Sequence, residues 1–322
     1  MNLETLKSSE LHFVGIGGSG MSGLARIALA MGIKVSGSDL KDSPTIKELS
    51  NLGVKTFIGH KPENLNRDCV LVVSSAIESD NVELIRAREL SLPILTRAEA
   101  LAIFMEGKFS IAIAGTHGKT TTTSMLTVAF QSLGLDPSFA IGGSIARGGT
   151  NAHFGSGNYF VAEADESDGS FLAYKPHGAV VTNIELDHVD NFPNIEAILD
   201  LFENFVASIK SGGFLVICID GENQRKLLDH VKRDDLTIIS YGQSNADLTY
   251  SHLYLKPTGA MARIVHGGKI LGELETSVPG EHNLLNALAV IGVGIATNQP
   301  VSELMNGIKN FTGARRRFEI KG

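Results

Sequence analysis

The chain has 322 residues, of which 43% are apolar and 20% charged, and it carries a net charge of −7 with a pI near 5.8. This length exceeds that of one typical domain, so two domains are expected. The acidic balance argues against nucleic acid or an anionic membrane as a partner, because both attract basic surfaces.

Cysteine usage and the absence of long apolar segments predict a soluble, cytoplasmic protein. The two cysteines, Cys69 and Cys218, each lie in an apolar run, as expected for buried thiols in a reducing compartment. The first ten residues lack the apolar core of a signal peptide. No later segment reaches the roughly 20 apolar residues that cross a bilayer.

Residues 1–107 predict a Rossmann-like domain, because short apolar runs alternate with helical patterns, as in a parallel βαβ sheet. The predicted strands are Leu11–Ile16, Val35–Gly37, Val54–Phe57, Cys69–Val73 and Ile94–Leu95, and the predicted helices include Met21–Met31 and Arg97–Phe104.

A glycine-rich turn, Gly15-Ile-Gly-Gly-Ser-Gly20, follows the first predicted strand and fits the pattern G-x-G-x-x-G. Asp39 lies near the offset of about 20 residues at which an acidic residue binds a ribose. Taken alone, the pattern indicates NAD, although such a turn also suits other diphosphates. A dehydrogenase would not need the second phosphate loop that occurs a hundred residues later.

That second loop is the segment Ile111–Thr123, an apolar strand followed by a glycine-hinged turn and a run of threonines that opens a helix. Backbone N–H groups and the positive end of the helix would form an anion site for a triphosphate. Lys119 would reach the β- and γ-phosphates, and the Thr120 hydroxyl would bind Mg²⁺. The loop is shorter than the usual G-x-x-x-x-G-K-[ST], and its candidate ATP-binding residues are Gly115, Thr116, His117, Gly118, Lys119, Thr120 and Thr121.

Residues 108–312 predict a central P-loop ATPase-type α/β domain, and residues 313–322 the start of a linker. Period-two alternation with glycine turns from Asp247 to Ser277 indicates an antiparallel meander at the sheet edge. The other predicted strands are Tyr159–Ala164, Ala179–Ile184, Phe214–Ile219 and Thr237–Ser240, and the predicted helices are Ile195–Ile209, Glu222–Val231, His282–Ala296 and Val301–Asn310.

Polar groups follow two strands of this domain. Four carboxylates occur between Glu163 and Asp168, of which Glu163 is nearest the strand and is the predicted Mg²⁺ ligand. Some of the four are expected to form only a solvated acidic turn. His188 lies between Asp187 and Asp190 after the next strand and is a candidate ligand of a second metal.

A helix start near residue 281 carries His282, Asn283 and Asn286. Asparagine at such a position is often only a cap. Two amides and an imidazole on one turn could instead bind the edge of a nucleobase.

Together these motifs resemble the Mur ligase family, the ATP-dependent, amide-forming enzymes of peptidoglycan synthesis, from Leu11 to Phe318. The histidine in the phosphate loop resembles that of two branches of the family, one that adds L-alanine and one that recycles a tripeptide. The motifs Glu163–Asp168 and Val73–Ile77 favour the L-alanine branch. The motifs that carry the resemblance are His12–Met21, Ser36–Asp39, Val72–Ile77, Ala114–Thr122, Ala162–Asp168, Thr182–His188 and Gly280–Ala287.

The resemblance implies ligation of L-alanine to the carboxylate of UDP-N-acetylmuramate through an acyl phosphate, with ATP and Mg²⁺. Lys119, Glu163 and His188 would be catalytic, with Mg²⁺ at Thr120, Glu163 and His188. His282, Asn283 and Asn286 would face the adenine, and Arg315 the ribose or phosphates. The UDP part would be bound by Gly17, Gly18, Ser19, Gly20, Met21, Asp39, Ser74, Ser75 and Ala76.

Two departures from the family pattern are apparent. Some members have a carbamylated lysine near the position of Phe202-Glu-Asn204, where a plain carboxylate or another arrangement is expected to serve instead. The family also has a third, carboxyl-terminal domain that supplies most of the amino-acid site, and this chain is expected to end where that domain would begin. It is therefore expected to bind nucleotides while being weak or inactive as a ligase. The tripeptide-recycling ligase, an NAD-dependent oxidoreductase and a non-catalytic nucleotide-binding module are the alternatives.

Overall fold

The computed structural model describes residues 1–143, 150–167, 169–187 and 191–313. The chain divides into two compact units, Met1–Gly107 with Thr150–Phe154, and Lys108–Gly149 with Gly155–Gly322. The segment Thr150–Phe154 therefore groups with the first unit, although it lies within the range predicted for the second domain. Across the described ranges, no helix combines the length and apolar character needed to span a membrane.

The first unit contains a five-stranded parallel sheet in the order β3-β2-β1-β4-β5. Since β2 and β3 lie on one side of β1 and β4 on the other, the winding direction changes between β1 and β4. Ligands of open α/β sheets bind at such a change, outside the carboxyl ends of the strands. The elements are α1 (Leu3–Lys7), β1 (Glu10–Val14), α2 (Ser19–Ala30), β2 (Lys34–Asp39), α3 (Pro44–Asn51), β3 (Lys55–Ile58), a 3₁₀ turn (Pro62–Asn64), β4 (Cys69–Val73), α4 (Val82–Glu89), β5 (Ile94–Thr96) and α5 (Arg97–Phe104).

The second unit has a sheet in the order β15-β14-β13-β12-β11-β10-β6-β9-β7. Along this order, β12, β11, β10, β6, β9 and β7 pair in parallel. Strands β13, β14 and β15 form the predicted antiparallel meander at one edge. The elements are β6 (Phe109–Ala114), α6 (Lys119–Ser132), β7 (Ser138–Ala140), β8 (Ala152–His153, which groups with the first unit), β9 (Tyr159–Glu163), a 3₁₀ turn (Ser170–Ala173), β10 (Gly178–Val181), α7 (Ile195–Ala207), β11 (Phe214–Cys218), α8 (Glu222–His230), β12 (Thr237–Tyr241), β13 (Leu248–Lys256), β14 (Gly259–His266), β15 (Lys269–Thr276), α9 (Glu281–Ala296) and α10 (Val301–Lys309).

The central strands of this sheet are buried on both faces. Every residue of β10 and β11 is buried, so these strands are continuous apolar runs without alternation. On one face, Val180 and Val216 pack in a core with residues of α6 and α9, such as Leu126 and Leu288. A rigid parallel sheet thus fixes the carboxyl ends of β6, β9 and β10, where the polar motifs lie. The predicted fold class, a Rossmann-like unit followed by a P-loop-type α/β unit with an edge meander, is confirmed.

Candidate functional site

The glycine-rich turn of the first unit connects β1 to α2, whose N-cap is Gly18. The Gly17 N–H donates to the Asp39 carboxylate at 2.9 Å, so the predicted ribose-binding acid contacts the turn directly. A Cβ on Gly17 would lie only 2.8 Å from Asp39 Oδ2, so glycine allows this close approach. The turn is therefore held against the end of β2.

Other predicted residues of this turn lie on or beside α2. The Ser19 carbonyl accepts from the Asn151 side chain, and Met21 is buried. Arg97 lies close enough to Gly20 that a Cβ there would be 3.1 Å from the Arg97 side chain. Arg97 is a positively charged neighbour of the turn that the sequence prediction did not include.

The predicted segment Ser74–Ala76 leaves the carboxyl end of β4 as a turn, in which the Ile77 N–H donates to the Ser74 carbonyl at 3.1 Å. The Ile77 side chain reaches Gly15, where a Cβ would lie 3.5 Å from it. The structure thus places Ser74, Ser75 and Ala76 beside the glycine-rich turn, at the change of winding between β1 and β4.

A buried carboxylate, Glu83, is linked to the glycine-rich turn through Ser38. Glu83 is fully buried and accepts from the Ser38 hydroxyl at 2.5 Å and from Asn64 at 2.7 Å, and its carboxylate lies 3.7 Å from His12 Nε2. Burial alone would raise the pKa of Glu83, but the neighbouring His12 and the hydrogen bonds from Ser38 and Asn64 outweigh it and lower the pKa to about 2. The Ser38 carbonyl in turn accepts from the Gly15 N–H at 2.8 Å. Sequence reasoning missed Glu83.

In the second unit, the loop Gly115–Gly118 runs from β6 to the first turn of α6. Gly118 is the N-cap of α6 and has a φ of 82°, and Gly115 has a φ of 134°, so both need the left-handed region that glycine tolerates. A Cβ on Gly115 would meet Thr182 Oγ1 at 2.1 Å. The loop is thus tightly packed, and it presents the amino-terminal N–H groups of α6.

The end of β10 fixes this loop from the side. Asn183 accepts from the Thr116 N–H through its carbonyl at 3.0 Å and from the His117 N–H through its side chain at 2.7 Å. Thr182 donates to the His117 carbonyl at 2.6 Å. The backbone N–H groups of Thr116 and His117, which the sequence predicts to bind phosphate, thus donate to Asn183. This contact also explains why β10 ends at Val181 and not at the predicted Ile184.

Lys119 contacts protein groups on several sides. Its ammonium donates to the Gly115 carbonyl at 2.7 Å and lies 2.9 and 2.7 Å from the two carboxylate oxygens of Glu166. Glu166 is only 3% exposed. Burial raises the pKa of Glu166, and the charge and hydrogen bonds of Lys119 oppose that rise. The predicted solvated acidic turn therefore supplies a buried partner for the lysine.

Two of the three predicted metal ligands lie in contact. The Thr120 hydroxyl donates to Glu163 Oε1 at 2.9 Å, and Glu163 Oε2 accepts from the Gly142 N–H at 2.7 Å. A hydroxyl and a carboxylate at the amino end of α6 are oxygen donors of the type that Mg²⁺ prefers. The third ligand, His188, and its neighbour Asp190 lie outside the described residues. Within the ranges that are described, no three His, Cys, Asp or Glu side chains form a metal cluster.

The residues predicted to face adenine lie on the first turns of α9. Asn286 is 7% exposed, and its Oδ1 accepts from the Thr122 hydroxyl at 3.1 Å. Asn283 is 1% exposed and donates to the Pro279 carbonyl at 2.7 Å, while His282 is exposed. The two amides thus connect α9 to its own start and to α6. Arg315 lies outside the described residues.

The carboxylate suggested in place of a carbamylated lysine, Glu203, has another partner. It lies 2.6 Å from His230 Nδ1 on α8, where Glu203 is half-buried and His230 is exposed.

The fold and these motifs define the class of protein: two α/β units, each with a glycine-hinged loop between its first parallel strand and the following helix. Residues 10–109 match the model of the Mur ligase family, catalytic domain, and residues 113–294 match that of the Mur ligase middle domain. The chain belongs to the Mur ligase family.

Curated relatives include UDP-N-acetylmuramate–L-alanine ligases. That of Acidothermus cellulolyticus is 46% identical over 312 residues, which cover 97% of this chain and 65% of the relative. That of Pelobacter propionicus is 46% identical over 318 residues, covering 98% and 68% respectively. The chain therefore spans about two thirds of the length of these relatives.

Solved structures show the same fold. The UDP-N-acetylmuramate:L-alanyl-γ-D-glutamyl-meso-diaminopimelate ligase from Neisseria meningitides has a TM-score of 0.87 and 28% identity, covering 96% of this chain and 99% of that one. The UDP-N-acetylmuramate-alanine ligase from Thermotoga maritima has a TM-score of 0.84 and 29% identity, covering 97% and 71%. The two folds are matched almost equally well, while the curated relatives at 46% identity favour the L-alanine branch.

Proposed function

We propose that this chain carries the nucleotide and UDP-sugar sites of an ATP-dependent ligase that joins L-alanine to UDP-N-acetylmuramate. The observation that carries the proposal is the convergence of Lys119, Thr120 and Glu163 at the amino end of α6. Thr120 Oγ1 and Glu163 Oε1 are 2.9 Å apart, and Lys119 is the residue directly before Thr120. A cation, a hydroxyl and a carboxylate at a helix N-terminus suit a magnesium-bound triphosphate.

The proposed reaction begins when the muramyl carboxylate attacks the γ-phosphate of ATP, which forms an acyl phosphate and releases ADP. The amine of L-alanine then attacks the acyl carbon, and phosphate leaves. Lys119 and the N–H groups at the start of α6 would offset the repulsion between the two anions. Mg²⁺, held by Thr120 and Glu163, would supply further charge neutralisation on the phosphates.

The turn Gly17–Met21, together with Asp39 and Ser74–Ala76, is the proposed site for the UDP part of UDP-N-acetylmuramate. Its place at the change of winding between β1 and β4 supports this assignment. A cytoplasmic location is proposed on the same grounds as the function, and it agrees with two free, buried cysteines.

Calorimetric titration with Mg-ATP tests the proposed ATP site. Lys119→Ala should weaken binding at least tenfold, because it removes the cation that meets the phosphates. Lys226→Ala is the matched control, since Lys226 is an exposed lysine of the same unit paired only with Glu222 at 2.7 Å in the described contacts. Equal ATP affinity in the wild type and Lys119→Ala would reject the site.

The choice of branch is tested on the natural protein that carries this sequence. Phosphate release from ATP and UDP-N-acetylmuramate should depend on L-alanine, and it should be slower with L-Ala-γ-D-Glu-meso-diaminopimelate at the same concentration. A preference for the tripeptide would assign the protein to the recycling branch.

The oxidoreductase alternative is tested by titrating the chain with NADH. A change in NADH fluorescence would favour that alternative.

A further inference from the structure

Glu166 holds the lysine on which the proposed ATP site depends. Both of its carboxylate oxygens lie within hydrogen-bond distance of Lys119 Nζ, at 2.9 and 2.7 Å. The Lys119 side chain is 13% exposed and that of Glu166 is 4% exposed. The pair is therefore mostly inside the protein, where the attraction is screened less than at the surface.

The ammonium of Lys119 has no spare donor in this arrangement. An ammonium has three N–H donors. Four acceptor oxygens surround it: the Gly115 carbonyl at 2.7 Å, the Thr116 carbonyl at 3.3 Å and the two oxygens of Glu166. A phosphate can bind the ammonium only if it replaces at least one of these acceptors.

The acceptor that a phosphate replaces most readily is Glu166. The two carbonyls belong to the phosphate loop itself, and they are neutral. The carboxylate is an anion, so an incoming triphosphate repels it and also competes with it for the Lys119 ammonium. Glu166 and the phosphates thus compete for one cation.

We propose that Glu166 is a positioning residue that occupies Lys119 in the empty loop as a substitute for the nucleotide phosphates and is displaced when ATP binds. It keeps the lysine folded into the loop, and its charge lowers nucleotide affinity. After phosphoryl transfer, the return of Lys119 to Glu166 favours release of ADP. This inference rests on the proposed ATP site.

Titration of Mg-ATP and Mg-ADP into the chain by calorimetry tests the inference. Glu166→Gln keeps an acceptor oxygen of nearly the same shape but removes the charge. It should tighten both nucleotides about tenfold. Asp165→Asn is the matched control, because it removes one negative charge from the same turn while keeping the oxygen that accepts from the Ser167 N–H. Its effect should stay below twofold.

The Lys119→Met background shows whether the effect passes through the lysine. Adding Glu166→Gln to Lys119→Met should change ATP affinity less than twofold, so the two substitutions should be strongly non-additive. If Glu166→Gln fails to fold, as judged by circular dichroism, Glu166→Ala provides the same comparison with room for water beside Lys119.

Several results would overturn the inference. Weaker or unchanged ATP binding in Glu166→Gln would mean that Glu166 supports the bound state or only the fold. Equal tightening in Asp165→Asn, or the same tightening without Lys119, would indicate general electrostatics. These outcomes differ from failure of the proposed function, in which the wild-type chain itself binds no ATP.

Discussion

Gly115 and Gly118 form the hinge of the phosphate loop because no other residue fits both their backbone and their surroundings. Gly118 has a φ of 82°, and a Cβ there would lie 2.7 Å from Asn286 Oδ1. A side chain would therefore add steric contact to the cost of a left-handed conformation, which is about 1–2 kcal/mol.

We predict that Gly118→Ala lowers ATP affinity at least tenfold and destabilises the second unit by about 2 kcal/mol or more. Gly134→Ala is the control that separates backbone strain from steric contact. Gly134 also has a positive φ, of 73°, but a Cβ there would meet nothing within 4 Å. It should cost stability without changing ATP affinity. Calorimetric titration and urea unfolding measure the two effects, and equal ATP affinities in both variants would contradict the packing argument.

Glu83 gives the first unit a dependence on pH. Its pKa is lowered from an ordinary 4.5 to about 2, so its contribution to the free energy of unfolding is full above pH 4.5 and is lost as pH falls through 2. A lowering of this size corresponds to a contribution on the order of 3 kcal/mol.

Urea unfolding from pH 6 to pH 2.5 should therefore show the wild type losing more stability than Glu83→Gln, with the two curves converging at low pH. Glu4→Gln, at a side chain 83% exposed, is the control and should follow the wild type. Parallel curves for wild type and Glu83→Gln would show that folding does not lower the pKa of Glu83.

Several residues of the candidate site were predictable because their chemistry is local in sequence. Lys119 and Thr120 follow a glycine turn, and Glu163 ends a buried strand, so their types and positions indicate their place. Glu166 and Asn183 were not assigned their observed contacts, because each depends on which element lies opposite. The spacing of Glu166 three residues beyond Glu163 was the only available signal, and an acidic turn of solvated residues has the same pattern.

At the scale of elements, α6 and α9 are joined by one buried polar contact. The Thr122 hydroxyl donates to Asn286 Oδ1 at 3.1 Å, with Thr122 fully buried. Loss of the hydroxyl would leave a buried amide oxygen with one partner fewer, which typically costs about 1–3 kcal/mol.

Thr122→Val should therefore lower the melting temperature by several degrees. Thr127→Val is a matched control in the same helix, because Thr127 is equally buried but its hydroxyl donates only to the Thr123 carbonyl, one turn away. Differential scanning calorimetry should show the larger loss for Thr122→Val. The reverse order would mean that the link between the helices contributes little.

The extents of the elements show where sequence patterns suffice. The helix α5 was predicted at its observed limits, and in the structure Thr96 and Glu99 form a capping box at its start. Strand β10 was predicted too long, because Thr182 and Asn183 follow its apolar run without a break in the sequence pattern. Only their contacts with the phosphate loop end the strand at Val181. A local signal fixes the first boundary and a tertiary contact the second.

At the scale of the whole molecule, each unit has one proposed ligand. A Cβ on Gly17 would lie 2.8 Å from the Asp39 carboxylate, so Gly17→Ala should displace Asp39 and weaken UDP-N-acetylmuramate binding about tenfold. It should leave ATP affinity within twofold of the wild type. Thermal shift at saturating ligand reports each site separately, because a ligand at 100 times its Kd stabilises by about 2.7 kcal/mol. Loss of ATP binding in Gly17→Ala would contradict the separate assignment.

A calorimetric titration of this 322-residue chain with UDP-N-acetylmuramate and with Mg-ATP, in the wild type, Gly17→Ala and Lys119→Ala, tests whether the two units hold separate ligand sites. We expect the wild type to bind both ligands, Gly17→Ala to lose affinity for the UDP-sugar alone, and Lys119→Ala to lose affinity for ATP alone. A chain that binds neither ligand, or whose ATP affinity is unchanged by Lys119→Ala, would contradict this expectation.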